Sequence, residues 1–211
     1  TVNISGMANP TAKNDPNRPQ IPALPATETF PAARSYNEGV TAFNNGDYDT
    51  AILRFTEALA LRPNFYLALS RRAQSYELND ISDKALADFT QLIDAKPNNA
   101  MALTGRAALH IKMGDYQSAL DDTNKALAIK ATYFNALNVR GRAYLLLGQY
   151  SQAIADLNAA LAVNPDSIVA LIDRGVAKKA SGDVAGGQAD LDQARALQTA
   201  PANKTAETEM P

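Results

Sequence analysis

The sequence predicts an all-α chain, five helix–turn–helix units of 34 residues stacked end to end as a solenoid. Three observations point there. Arg72, Arg106, Arg140 and Arg174 stand 34 residues apart, and each is followed at a constant offset by Asp88, Asp122, Asp156 or Asp190. Gly46, Gly114, Gly148 and Gly182 keep the same frame, with Asp80 in the one missing slot. A small residue recurs five places after each, at Ala51, Ala85, Ala119, Ala153 and Gly187. A charge pair and a helix breaker repeating at one period mean that one unit has been copied. Such a unit cannot bury its apolar face alone and does so against its neighbours.

Residues 1–31 are rich in Pro, Asn and Thr and show neither helical nor strand periodicity. A segment with so little apolar surface to bury cannot offset its ordering entropy, so it reads as a flexible lead. The five units follow as 32–65, 66–99, 100–133, 134–167 and 168–199, and residues 200–211 read as a disordered tail. In each unit the first helix carries a stripe such as Leu69, Ala73 and Tyr76, or Leu137, Gly141 and Tyr144. That spacing falls on one helical face. The glycine that follows tolerates the left-handed cap and turns the chain. Ala85, Phe89 and Leu92, or Ala153, Leu157 and Ala160, then form the stripe of the second helix, and the facing small residues let the two helices approach closely. Pro63, Pro97 and Pro165 close most units, with Ala131 standing in once, because proline cannot continue a helix. Asp47, Asp115 and Asp183 sit where a second helix starts and suit capping and the helix dipole.

Departures from the pattern are local. Lys178 takes the slot of Tyr76, His110 and Tyr144, Thr123 takes an apolar slot, and Gly186-Gly187 is expected to weaken the last helix. On that helix Gln188 replaces Ile52, Leu86, Leu120 and Ile154, while Arg195 replaces Leu59, Ile93, Leu127 and Leu161. Both changes lie on one face, and a polar outer face is what a terminal helix requires. At the other end Ser35 matches Leu69, Leu103, Leu137 and Leu171. The expectation is an array of five repeats with no sixth packed against it.

The period, the turn glycines and the small residues together resemble the tetratricopeptide repeat, over about residues 32–199. The resemblance implies a right-handed superhelical solenoid whose first helices line a concave face on which peptides lie. By that register the groove positions are Tyr36, Val40 and Phe43, then Leu67, Gln74 and Leu78, then Met101, Ile111 and Lys112. They continue as Asn135, Asn138, Arg142 and Leu145, and end with Val169, Ile172 and Val176. One subfamily clamps the C-terminal carboxylate of chaperones with Lys and Asn. Here Tyr36, Val40, Arg71, Met101 and Gly105 hold those slots, and with one cation among them that specificity is rejected.

The arginine–aspartate register reads as an ion pair between the two helices of a unit. In the first unit the charges are swapped, with Glu38 in the arginine slot and Arg54 in the aspartate slot. Pairing within units gives opposite signs throughout, whereas pairing between units would set Arg54 against Arg72. The aspartates also argue against an anion-binding ladder of arginines.

No catalytic constellation is visible, and an enzyme is not expected. Cys is absent and the single His, His110, occupies a packing slot, so neither a thiol nucleophile nor a metal or cofactor site is expected. A net charge of −2 offers no footprint for nucleic acid, and no apolar run is long enough to span a membrane. The expected function is a non-catalytic adaptor or scaffold binding a peptide segment of a partner protein. The alternative is a structural part that associates with further copies of itself. The lead resembles the tether of a bacterial envelope protein, periplasmic or lipid-anchored, with the cytoplasm as the alternative.

Overall fold

In the computed structural model, residues 22–23 and 31–199 are described. The expected lead and tail otherwise lie outside the described residues. Among these residues the regular secondary structure is all α-helix: α1 Pro31–Asn44, α2 Tyr48–Leu61, α3 Tyr66–Leu78, α4 Ser82–Ala95, α5 Ala100–Lys112, α6 Tyr116–Ile129, α7 Phe134–Leu146, α8 Tyr150–Val163, α9 Ile168–Ser181 and α10 Val184–Thr199. The helices pack in consecutive pairs, one helix–turn–helix per repeat. They divide between Pro97 and Asn98 into two compact units, α1–α4 and α5–α10.

Each pair is hinged on a left-handed residue. Gly46, Gly114, Gly148 and Gly182 have φ of 75°, 80°, 73° and 104°, and Asp80 takes the same turn at 56°. The next residue caps the second helix where it is acidic: Asp47 and Asp115 each accept a backbone N–H at 3.1 Å, from Thr50 and Ser118. Asp183 accepts from the Gly186 N–H at 2.9 Å. The second helices stop at Leu61, Ala95, Ile129 and Val163. Ala131 ends its unit in the same place as proline does elsewhere. There the Tyr133 N–H donates to the Lys130 carbonyl at 3.0 Å, as Phe65 does to Arg62, and each cation lies 5.2 Å over the following ring.

Within the first unit the core gathers Tyr36, Val40, Phe43, Tyr48, Phe55 and Phe65 with the small residues between them. The Tyr36 ring packs at a tilt against Phe55 and Phe65, with centroids 5.6 and 5.1 Å away. Within the second unit Ala107, Ala119, Leu120 and Ala143 form a continuous cluster under Ile111, Val139 and Tyr144. The pairs close because small residues on first helices receive large ones from second helices. A Cβ on Gly141 would stand 2.8 Å from Leu157 Cγ, and one on Gly175 3.0 Å from Leu191 Cγ.

Gly186-Gly187 does not interrupt α10, which is the longest of the described helices at 16 residues. A Cβ on Gly187 would lie 2.5 Å from the Gly175 carbonyl oxygen and press on Lys179 Cγ. Close backbone approach to α9 therefore compensates the low helix propensity of glycine. Gln188 and Arg195 are exposed, and Thr123 satisfies its buried hydroxyl on the Ala119 carbonyl at 2.7 Å.

The turn register yields a paired test. Asp80→Gly should raise the urea midpoint, worth about 0.5–1 kcal/mol, because glycine meets no Cβ penalty in the left-handed region. Gly148→Ala, at the equivalent turn, should lower it by about 1 kcal/mol. Midpoints that move together would show that φ is not what these turns select for.

Candidate functional site

The helix layers of each unit define an inside. In the second unit α5 packs on α7 and α7 on α9, whereas α6, α8 and α10 do not touch one another. In the first unit α1 meets α3 while α2 and α4 stay apart. First helices are therefore the crowded inner layer of each unit, and their outward side chains form its inner face.

The ion-pair register holds these layers together. Arg72, Arg106 and Arg140 each donate through Nε at 2.7 Å, and Arg174 at 2.8 Å, to Oδ2 of Asp88, Asp122, Asp156 and Asp190. Their Nη2 groups donate to the second carboxylate oxygen at 2.8, 2.8, 2.7 and 2.6 Å. This bidentate geometry is available to arginine and not to lysine. All four aspartates are buried. In the first unit Glu38 meets Arg54 less closely, at 3.4 Å, with both side chains more than a third exposed. Lys178, standing in the tyrosine slot, adds a second cation 3.0 Å from Asp190. Burial works to raise the Asp190 pKa, but the hydrogen bonds from Arg174 and Lys178 outweigh it and hold the carboxyl below its usual range.

A further contact follows the same period. The Nη1 group of Arg72 donates to Thr56 Oγ1 at 3.2 Å, and those of Arg140 and Arg174 to Asn124 and Asn158 Oδ1 at 2.8 Å. Each of these arginines thus ties its own helix pair to the second helix of the preceding repeat. Reading charges alone misses this link. The signal is nonetheless present, since Asn124 and Asn158 are spaced 34 residues apart and Thr56 shares their frame.

His110, in its packing slot, lies 3.7 Å from Asp115 Oδ2 and 4.0 Å from Asp122 Oδ2. Among the described residues no set of three His, Asp or Glu side chains could hold a metal ion. No helix there is long and apolar enough to cross a membrane.

The expected groove positions divide sharply. Tyr36, Val40 and Phe43 are each 2% exposed, so they belong to the aromatic core of the first unit and offer no surface. Tyr36 packs its ring against Phe55 and Phe65, Phe43 packs against Tyr48, and Val40 joins the same cluster, which outcompetes display. Leu145 is likewise buried. Gln74 is half-buried and accepts from Arg71 Nη1 at 2.7 Å, while Leu67 and Leu78 are exposed on α3. On the second unit Lys112, Asn135, Arg142 and Val169 are exposed, and Met101, Ile111, Asn138, Ile172 and Val176 are half-buried. The accessible set is concentrated on α5, α7 and α9.

One residue of this face went unread in the sequence. Asp173 on α9 is buried, and its Oδ2 stands 3.3 Å from Arg142 Nε on α7. Burial pushes its pKa up to about 6, against the opposing pull of Arg142. It was legible as the one acid in a slot otherwise held by Asn37, Arg71, Gly105 and Val139.

Profiles of the tetratricopeptide repeat match residues 134–167, and 36–81 with 76–134. The chain belongs to the tetratricopeptide-repeat family. No curated protein matches it at comparable significance. Among solved structures it is similar to PilW, a widely conserved type IV pilus biogenesis factor, with 22% identity and a TM-score of 0.73 over 81% of this chain and 79% of that one. It is similar to TTC0263, a thermophilic tetratricopeptide protein of Thermus thermophilus, with 23% identity and 0.69 over 82% and 93%. YrrB, a tetratricopeptide protein with an unusual peptide-binding site, follows at 17% and 0.60 over 79% and 86%. At these identities the likeness is one of fold.

Two measurements bear on these charges. Arg140→Asp should cost about 3 kcal/mol in urea unfolding, because it leaves the buried Asp156 carboxylate unpaired. Adding Asp156→Arg should restore more than half of that, and a double exchange no better than the single one would refute the pairing energetics. For Asp173 the folded pKa lies above the unfolded one. The folded chain holds the extra proton between the two values, and stability falls as pH rises through about 6. Asp173→Asn should therefore be stabilising by about 2 kcal/mol at pH 7.5 and near neutral at pH 4.5.

Proposed function

We propose that the protein is a non-catalytic adaptor that binds an extended peptide segment of a partner along the inner face of α5, α7 and α9. The observation that carries this reading is the layering of the second unit: its first helices touch, its second helices splay, and the inner side retains accessible apolar and amide side chains. Val169, Ile172, Val176 and Ile111 supply apolar area, and Asn135 supplies hydrogen bonding. Apolar anchors with a few polar groups that fix orientation are what a peptide groove requires. Membership of the tetratricopeptide family supports a protein-interaction role, and YrrB carries a peptide site on a similar fold.

A second reading is self-association through the opposite layer. Ile129 and Val163 stand exposed in equivalent positions at the ends of α6 and α8, and a row of apolar side chains can mark an interface between copies.

The two readings separate in one set of variants. Peptides of roughly 12 residues, long enough to cross three helices, are selected from a random library on the immobilised chain. Asn135→Glu with Val169→Glu should weaken the selected peptides about 10-fold or more. Ile129→Glu with Val163→Glu should leave them unchanged. Light scattering then reports whether the second pair alters the mass in solution. Full peptide affinity in the inner-face variant sinks the adaptor reading.

A further inference from the structure

The buried carboxylates of the second unit are of two kinds. Asp122, Asp156 and Asp190 each accept two hydrogen bonds from their own arginine. Asp173 does not. Its side chain is 4% exposed, yet its Oδ2 accepts no hydrogen bond among the described residues. Arg142 is near enough for attraction at 3.3 Å, but its N–H groups do not donate to that oxygen.

One turn before Arg142, on the same face of α7, Asn138 buries its Oδ1 and also finds no donor among the described residues. The repeat shows what a structural polar group does in this layer. Thr104, the equivalent of Asn138 one unit earlier, returns its hydroxyl to the Ala100 carbonyl at 2.7 Å. Asn138 and Asp173 are not satisfied in that way.

Leaving such groups without donors costs stability, and the fold has no need of them. Val139 holds the Asp173 slot and Ile172 the Asn138 slot in neighbouring repeats. Groups that cost stability and stay incompletely paired are characteristic of functional surfaces. Their chemistry specifies the ligand. The third such atom among the described residues, His110 Nδ1 on α5, faces Asp115 Oδ2 at 3.7 Å. The unmet atoms of Asn138 and Asp173 are acceptors, so the ligand brings donors. One acceptor is a carboxylate that Arg142 compensates incompletely, as its raised pKa reflects, so the donor group is cationic. A guanidinium offers five donors in a plane and can serve more than one acceptor.

We propose that Asp173 and Asn138 form a specificity pocket for an arginine or lysine side chain of the bound peptide. Arg142 is 45% exposed and can turn toward solvent as that cation enters. This inference rests on the reading of the α5, α7 and α9 face as a peptide site.

The same random-peptide selection on the full chain tests it, with synthetic peptides measured by fluorescence anisotropy. The selected peptides should share a basic residue at one fixed position, and replacing it with norleucine should weaken binding about 10-fold or more. Asp173→Asn keeps the shape of the side chain and is expected to fold at least as stably. It should reduce that ratio to about 3-fold or less while retaining affinity for the norleucine peptide. Selected peptides with no shared basic position, or an unchanged ratio in Asp173→Asn, overturn the pocket and leave the peptide face intact. A library that yields no binders at all overturns both.

Discussion

The contact on which the rest of the architecture depends is the chelate of a buried aspartate by an arginine one helix away. A lone buried carboxylate is costly, and so is a lone guanidinium. Held face to face at 2.6–2.8 Å with two parallel hydrogen bonds, the two become compatible with a packed interior. The bidentate geometry accepts little rotation or slip, so it sets the register of each helix pair. Where the third donor reaches Thr56, Asn124 or Asn158, it passes that register to the preceding repeat. Nearest-neighbour coupling of this kind is how a repeat array acquires cooperative stability without a single central core.

Size complementarity acts on top of that register. Gly141 and Gly175 admit Leu157 and Leu191 into the groove between paired helices, and Gly187 brings α10 against the α9 backbone. With the pairs closed this tightly, the first helices of each unit meet and the second helices splay. An accessible inner face follows as a by-product of packing. The inner layer is crowded enough to bury Asp173 and the Asn138 carbonyl, yet Asn135, Arg142 and Val169 stay accessible beside them.

The fold was largely legible in the chain because its causes are local and repeated. A 34-residue spacing of Gly and Asp80 states where each pair turns, since only a few residue types tolerate positive φ. The charge swap at Glu38 and Arg54 narrowed the pairing, because like charges cannot face each other at low dielectric. The accessible face was less legible. Val40 and Phe43 share their frame with the exposed Arg142 and Lys179, yet together with Tyr36 they pack among Phe55 and Phe65 in the core of the first unit. The frame gives the direction of a side chain. What stands in front of it depends on the volume of residues far along the chain.

By itself, then, the sequence determined the period, the five units, the turns and the complementary charge slots, because each depends on backbone conformation or charge sign at fixed short separations. Only the tertiary structure decided which inner-face residues remain accessible. It also decided that Gly187 is a point of close contact between α9 and α10, and that Asp173 lies buried beside Arg142 with no hydrogen bond to its Oδ2. Those outcomes depend on interhelical distance and on hydrogen-bond alignment to within a few tenths of an ångström. No spacing along a chain specifies such distances until the helices have packed.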